Sequence, residues 1–157
     1  MKVQLLWIGK TDNAHVAALC DDYAQRLSHL LPLDIITLPE PKHTRSLSPQ
    51  QQNELEGEQI LRRLQPADRL FLFDERGRQF SSPQLADWLQ RQLLSSSGAL
   101  VLAIGGPYGF SPQVYARAGG MIALSALTFS HQLVRAICLE QLYRACAINC
   151  HLPYHHG

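Results

Sequence analysis

Residues 100–135 constrain the fold of this chain more than any other stretch. They open with the uninterrupted apolar run Leu100–Ile104, which stops at the sequence Gly-Gly-Pro. A second apolar run, residues 121–127, leads into a loop rich in hydroxyl groups, followed by His131. Short apolar runs bounded by glycine or polar residues indicate buried strands. Because ligands bind beyond the carboxyl ends of strands in open α/β sheets, the two loops predict a ligand site.

The rest of the chain predicts an α/β fold with a mostly parallel sheet flanked by helices. Apolar runs indicate strands at residues 3–8, 34–38, 69–73, 100–104 and 121–124. Between them, apolar residues recur three and four positions apart, which is the spacing of amphipathic helices. Ser-Pro sequences at Ser48, Ser82 and Ser111 predict helix starts, since a capping hydroxyl is followed by proline in the first turn. The alternation favours a parallel sheet, and residues 1–157 contain no linker, so we expect one domain.

Several local features of this fold are open to a direct structural test. Residues 74–77 follow the third strand and are expected to form a loop. The second helix is expected to turn Leu55 inward and to expose a Glu-rich outer face. The last helix is expected to begin at Ser130 with Leu133 facing the core.

Composition and charge exclude several classes of protein. Apolar residues make up 46% and charged residues 17% of the chain, which argues against disorder. No apolar stretch reaches the ~20 residues of a membrane span, and residues 3–8 predict a strand because no cleavage site follows them. We expect free, mostly buried thiols in a cytoplasmic protein at Cys20, Cys138, Cys146 and Cys150. Because the net charge is only +1, binding to nucleic acid would need local basic patches or a surface built from two subunits.

The two loops of residues 100–135 each leave two interpretations open. Residues 105–109 read Gly-Gly-Pro-Tyr-Gly, which is neither a dinucleotide fingerprint nor a Walker loop. Two glycines after a buried strand let a ligand approach the backbone, but an ordinary tight turn explains them equally well. Residues 124–129 stay apolar where a loop usually faces water. Their amides could contact an adenine ring, although a continued strand is the simpler explanation.

The C-terminal residues also carry candidate functional groups. A zinc site could be drawn from Cys146, Cys150, His151 and His155, but their spacing matches no usual zinc module, and no metal is expected. Tyr154 and His155 could instead belong to an arm that supplies a proton acceptor near neutral pH, or the terminus could be frayed. Glu140 and Arg144 are expected to form an ordinary intrahelical ion pair. From the residues alone, the chain is a ligand-binding α/β domain without an identified reaction.

A set of separated motifs, in this order and on a chain of this length, points to one family. The motifs are residues 56–58, residues 104–107 with Gly109, residues 124–128, His131 with residues 133–135, Glu140 with residues 142–145, and residues 153–155. Over essentially its full length, the chain resembles the RlmH-type large-subunit rRNA pseudouridine N3-methyltransferases of the SPOUT (α/β-knot) superfamily.

This resemblance implies a fold, a cofactor and a partner. The C-terminal segment would form a trefoil knot, a topology that base rates alone argue against. S-adenosylmethionine (SAM) would bind between the knotted loops, at Phe73, Gly105, Leu124, Ser125, Ala126, Leu127, Thr128 and Phe129. The protein would be a homodimer in which each site is completed by the partner. The reaction would be methyl transfer to N3 of a pseudouridine in 23S rRNA, on assembled ribosomes in the cytoplasm.

The resemblance also implies roles for residues outside the cofactor loops. Tyr154, His155 and Arg135 would be catalytic, and His131, Arg135 and Tyr154 would contact the substrate. The tail departs from the family pattern, because Leu152 replaces a histidine and His156 replaces a basic residue. A non-catalytic homologue that binds SAM or the ribosome, or a methyltransferase acting at another RNA position, therefore remains an alternative.

Overall fold

The computed structural model describes residues 2–95 and 97–157. In these residues, five parallel strands form one sheet in the order β2-β1-β4-β3-β5. The strands are β1 (Val3–Ile8), β2 (Leu33–Leu38), β3 (Arg69–Gln79), β4 (Leu100–Ile104) and β5 (Gly120–Ala123). The helices are α1 (Ala14–Leu27), α2 (Pro49–Arg63), α3 (Ser82–Leu94), α4 (Pro112–Arg117) and α5 (Leu133–Asn149), with a 3-10 turn at Thr44–Ser46. The predicted α/β class with a parallel sheet is confirmed.

Helices cover both faces of the sheet. On one face, Val3 and Leu5 of β1 belong to a core shared with α1, α3 and α5. On the other face, Leu6 and Ile8 pack in a second core with residues of α2 and α4. A strand covered on both sides gains from an apolar residue at every position. This explains why β4, which is buried throughout, is an unbroken apolar run.

Serine side chains fix the starts of α2 and α3 as predicted, to within one residue, whereas α5 begins at Leu133, three residues after the predicted Ser130. The Ser48 hydroxyl and the Gln51 amide form a reciprocal capping box at α2. The same arrangement at α3 uses Ser81 rather than the predicted Ser82, which places the proline at the second helical position. At α5, the Ser130 hydroxyl accepts a hydrogen bond of 3.1 Å from the Leu133 amide. These caps satisfy amide groups that would otherwise lack partners at the helix ends.

Two residues predicted to face the core are instead exposed. Leu55 is 39% exposed and Leu133 is 42% exposed. The buried face of α2 carries Glu56, Gly57 and Ile60. A Cβ atom on Gly57 would lie 2.4 Å from the hydroxyl oxygen of Ser111, so the helix meets its neighbour through the glycine. The predicted Glu-rich outer face is therefore wrong at Glu56.

The prediction of a loop at residues 74–77 is wrong, because β3 continues to Gln79. Before the irregularity, Phe73 of β3 pairs with Ile122 of β5. After it, Arg78 pairs with the same residue. Residues 74–77 therefore form an irregular part of β3 between its two stretches of pairing with β5. Aspartate and glycine are depleted in strands, so composition favoured a loop here, whereas the resumed pairing of Arg78 and Gln79 with β5 keeps the segment within the strand.

The helices and the cysteines bear on the predictions about membrane spans and free thiols. No helix in the described part of the chain is both long and apolar enough to cross a membrane. The four cysteines are free, as predicted: Cys20, Cys138 and Cys146 are buried, and Cys150 is exposed.

Candidate functional site

A cleft of about 800 Å³ lies at the carboxyl ends of β3, β4 and β5. Its walls are residues 73–76 of β3, the loop 105–110 after β4, and the segment after β5 that reaches His131. Of the residues predicted to contact a cofactor, all but Ala126 line this cleft. The structure thus brings together two loops that are separated in sequence, and cofactor binding by their residues stays a prediction.

The glycine loop, residues 105–109, is supported from beneath by α2. The Asn53 side-chain amide donates a hydrogen bond of 2.9 Å to the carbonyl of Tyr108. A Cβ atom on Gly106 would lie 2.9 Å from Oε1 of Glu56, so this carboxyl group lies directly against the loop. Burial raises the pKa of Glu56, whose carboxyl group accepts a hydrogen bond of 3.1 Å from Gln52. The loop is a tight turn, and it also forms one wall of the cleft.

The apolar loop, residues 124–129, is not a continued strand, since β5 ends at Ala123. The Ser125 hydroxyl accepts a hydrogen bond of 3.0 Å from the Leu127 amide and so stabilises a turn. Leu127 is 73% exposed and Phe129 is 37% exposed, and both line the cleft. Exposed apolar side chains gathered in a concave surface indicate a binding site.

A charged cluster of Asp74 and Arg76 on β3, with Tyr115, forms part of the cleft and was not predicted from the sequence. The Tyr115 hydroxyl donates a hydrogen bond of 2.6 Å to Asp74. Arg76 donates to both carboxylate oxygens of Asp74, at 3.2 and 3.3 Å, and its guanidinium lies 4.9 Å from the centre of the Tyr115 ring. Burial raises the pKa of Asp74, but the hydrogen bonds from Arg76 and Tyr115 outweigh burial and hold it below its ordinary value. The sequence feature that could have indicated this cluster is the acidic pair Asp74 and Glu75 directly after a buried strand.

Removal of the Tyr115 hydroxyl should destabilise the fold in a pH-dependent way. We expect Tyr115→Phe to lower the free energy of unfolding by about 1 kcal/mol at pH 7. Because the pKa of Asp74 is lowered in the folded state, the stability from its ionised form is present above the unfolded pKa of about 3.9. That contribution is lost as the pH falls through the lower folded pKa, so the difference between variant and wild type should shrink towards about pH 3. Urea unfolding of the variant and the wild type at both pH values measures this difference in stability. A difference that is the same at both pH values would contradict the hydrogen bond between Tyr115 and ionised Asp74 as its source.

Arg135 does not face the cleft and is buried, with 2% of its surface exposed. Its guanidinium donates to the carbonyl oxygens of Ile8, at 2.7 Å, and Gly9, at 3.0 Å. It also donates to the Thr11 hydroxyl at 2.8 Å. A guanidinium enclosed in this way cannot reach an RNA phosphate, so the structure does not support the predicted substrate contact by Arg135. His131, by contrast, is exposed and lines the cleft.

The tail residues Tyr154 and His155 do not line the cleft of their own chain. The Tyr154 hydroxyl lies 3.0 Å from Oε1 of Glu140 and 3.0 Å from the hydroxyl of Tyr23. Nδ1 of His155 lies 3.1 Å from a guanidinium nitrogen of Arg144. The predicted ion pair between Glu140 and Arg144 is confirmed at 2.6 Å, and it also anchors the tail. The terminus is therefore packed on α5 and α1 rather than frayed.

The surroundings of the tail affect its chemistry. Burial and the hydrogen bonds with Tyr23 and Glu140 raise the pKa of Tyr154, so its hydroxyl keeps its proton at neutral pH. A guanidinium can only donate hydrogen bonds, so Nδ1 of His155 accepts from Arg144, and the neutral ring carries its proton on Nε2. The Tyr154 hydroxyl donates a hydrogen bond to Glu140, and Nε2–H of His155 is a second donor on the tail. In the described residues, no group of three or more His, Cys, Asp or Glu side chains is placed to hold a metal ion.

Comparison with known proteins gives full-length matches. The family described as "Predicted SPOUT methyltransferase" matches residues 1–155. The curated Ribosomal RNA large subunit methyltransferase H of Cytophaga hutchinsonii is 49% identical over 156 residues, covering 99% of this chain and 100% of that protein. Proteins of the same name from Flavobacterium psychrophilum and Phocaeicola vulgatus are 47% and 46% identical, each covering 99% of both chains. The predicted resemblance is confirmed, and this chain belongs to the SPOUT methyltransferase family.

Proposed function

We propose that this chain, acting as a single domain, uses SAM to methylate N3 of a pseudouridine in 23S rRNA of the large ribosomal subunit. The observation that carries the proposal is the cleft, which joins the glycine loop and the exposed apolar loop in a member of a methyltransferase family. The relatives named above, which match almost the whole chain, act on large-subunit rRNA by their names. With a ribosomal substrate, the activity belongs in the cytoplasm.

The cleft suits a ligand with one apolar ring system and several polar groups. Leu127 and Phe129 supply exposed apolar surface for a planar base. Gly105 and Gly106 present backbone without side chains, which allows close approach of a ligand. When bound, SAM supplies an electrophilic methyl group on a positively charged sulfur. Glu75 lies on the same cleft and its negative charge favours a cation there, whereas the charge of Asp74 is offset by Arg76.

The tail residues fit the substrate side of this chemistry. N3 of the base must lose its proton before it can attack the methyl group, which leaves negative charge on the two neighbouring carbonyl oxygens. Nε2–H of His155 is a donor that would stabilise this charge and hold the base in line. The Tyr154 hydroxyl would add a second donor by exchanging its hydrogen bond to Glu140 for one to the base. Since neither residue lines its own cleft, we infer that the protein is a homodimer in which each tail completes the partner's site. We also infer the family's C-terminal trefoil knot, in which α5 passes from the β5 edge to lie against α1 and α3.

Two measurements test the proposed function together. Calorimetry with SAM measures cofactor binding, and transfer of a labelled methyl group to ribosomes from a strain lacking the modification measures activity. Mass spectrometry of the product nucleoside should then locate the methyl group at N3 of pseudouridine. Binding without transfer would instead indicate a non-catalytic homologue, and a methyl group elsewhere would indicate another RNA position.

The exposed leucine of the apolar loop provides a test of the cofactor site alone. We expect Leu127→Ala to weaken SAM binding about tenfold, because an apolar contact of leucine size contributes roughly 1.5 kcal/mol. Leu94→Ala is the matched control, since Leu94 is 80% exposed and does not line the cleft. Equal affinities of the two variants in calorimetry would argue against cofactor binding at this loop.

A further inference from the structure

The loop between β1 and α1, residues 9–13, is fastened to the start of α5. The side-chain oxygen of Gln132 accepts a hydrogen bond of 2.8 Å from the Asp12 amide, and its nitrogen donates one of 3.3 Å to the carbonyl of Lys10. Arg135 holds the same loop from within the protein through the Gly9 carbonyl and the Thr11 hydroxyl, and a third hydrogen bond joins it to Ile8 at the end of β1. Contacts between residues more than a hundred positions apart therefore fix a short surface loop.

This loop lies beside the cleft. Strand β1 pairs with β4, whose carboxyl end leads into the glycine loop, and both strands run in the same direction. Gln132, which binds the β1–α1 loop, directly follows His131 of the cleft wall. The Lys10 side chain is exposed at this edge, and it has no ion pair among residues 2–95 and 97–157.

The charges around the loop leave it attractive to an anion. The nearby acids are Asp12 and Glu40, and the Glu40 carboxylate lies against Gly9. Both acids interact electrostatically with the buried guanidinium of Arg135, which offsets their charge from inside the protein. Lys42 and Arg45 follow β2, the next strand along this edge, and are also exposed without ion pairs in the part of the chain that the structure describes.

We propose that the β1–α1 loop binds the phosphate backbone of the RNA substrate through Lys10, with Gln132 and Arg135 as positioning residues. This inference rests on the proposed function, since it assigns the RNA a path from the cleft across the carboxyl ends of β1 and β2. Phosphate binding at this loop explains how a chain of net charge +1 can bind RNA. Lys10, Lys42 and Arg45 on this edge form no ion pairs within the described residues, so their charge is available to a phosphate. It also gives Arg135 a role that requires burial: the residue acts on RNA through the loop.

Two lysines on either side of β1 make a matched pair for the test. Lys2 precedes the strand at the opposite edge of the sheet, with a side chain 61% exposed and a 4.0 Å ion pair to Asp34. We expect Lys10→Ala to raise KM for ribosomes about fivefold at constant kcat, and to leave SAM affinity unchanged. For Lys10→Ala, the slope of log KM against log salt concentration should be shallower by about one unit, because one phosphate contact is lost. Lys2→Ala should match the wild type in all of these values.

The positioning role is tested by combining Lys10→Ala with Gln132→Ala. Gln132→Ala alone should raise KM and flatten the salt dependence as Lys10→Ala does, and the double variant should show no further change in either. Independent, additive effects would overturn the positioning role, and equal behaviour of Lys10→Ala and Lys2→Ala would overturn the phosphate contact. Absence of methyl transfer by the wild type would instead refute the proposed function, so the two failures are distinguishable.

Discussion

Gly77→Ala is expected to lower the free energy of unfolding by about 2 kcal/mol or more, and to weaken SAM binding as well. Gly77 lies in the irregular part of β3 that crosses the end of β5. A Cβ atom there would lie 2.5 Å from the carbonyl carbon of Met121 and 2.8 Å from the amide nitrogen of Ile122. These are backbone atoms, so no side chain can rotate away, and the two strands must separate. Because β5 leads into the apolar loop, separation of the strands moves a wall of the cleft.

Gly119→Ala is the matched control for this prediction. Gly119 precedes β5, and a Cβ atom there would meet its nearest neighbours at 3.5 Å or more, which is ordinary contact. We expect it to retain wild-type stability and SAM affinity. Thermal unfolding and calorimetry of both variants measure the difference. If Gly77→Ala were as stable as Gly119→Ala, the close contact between β3 and β5 would be wrong, and with it the fixed position of the cleft wall.

The extension of β3 beyond Phe73 is a feature that local sequence patterns do not predict. The five apolar runs each predict a strand correctly. The signal is clearest in β4, because burial on both faces favours an apolar residue at every position. Residues 74–76 are polar and line the cleft, and Arg78 and Gln79 hold the strand there by pairing with β5. Such pairing depends on a distant segment, and no local spacing records it. The Asp74 cluster was therefore missed together with the strand that carries it.

Buried charge is the second limit of sequence interpretation. Glu56 and Arg135 are 5% and 2% exposed, although charged residues are rarely buried without partners. Arg135 finds its partners in β1, more than 120 positions away, so its helix gave no sign of burial. Both residues belong to the motifs that carry the family resemblance, but a motif does not distinguish a residue that touches a ligand from one that holds a loop in place.

The two loops that line the cleft were the most predictable part of the site. A glycine pair after a buried strand and an apolar segment after the next one could be located from their order in the chain alone. That they face one another follows from β3 separating β4 and β5 in a parallel sheet. The tail was less predictable, since its hydrogen bonds to Glu140 and Arg144 depend on how the last residues fold back onto α5.

The double substitution Tyr154→Phe with His155→Ala is expected to reduce methyl transfer by about 100-fold or more while leaving SAM affinity unchanged. Phenylalanine keeps the ring that packs at 4.7 Å from Tyr143, so the tail should stay in place while it loses its donors. His156→Ala is the control, because this neighbouring histidine is exposed. Single-turnover transfer to ribosomes measures the step, and retained activity of the double variant would exclude the tail from the chemistry.

Dimers of one cleft variant and one tail variant distinguish between two arrangements, in which each tail completes either its own site or the partner's site. Leu127→Arg should prevent SAM binding without disturbing the fold, since the side chain is 73% exposed in the cleft and a guanidinium there repels a sulfonium cation. Neither this variant nor the tail variant alone should transfer methyl groups. When the two are co-expressed, half of the dimers formed by random association are mixed. Each mixed dimer then unites one intact cleft with one intact tail from the partner, so about a quarter of wild-type activity should return. If each tail served its own cleft, every site would lack one component and no activity would return.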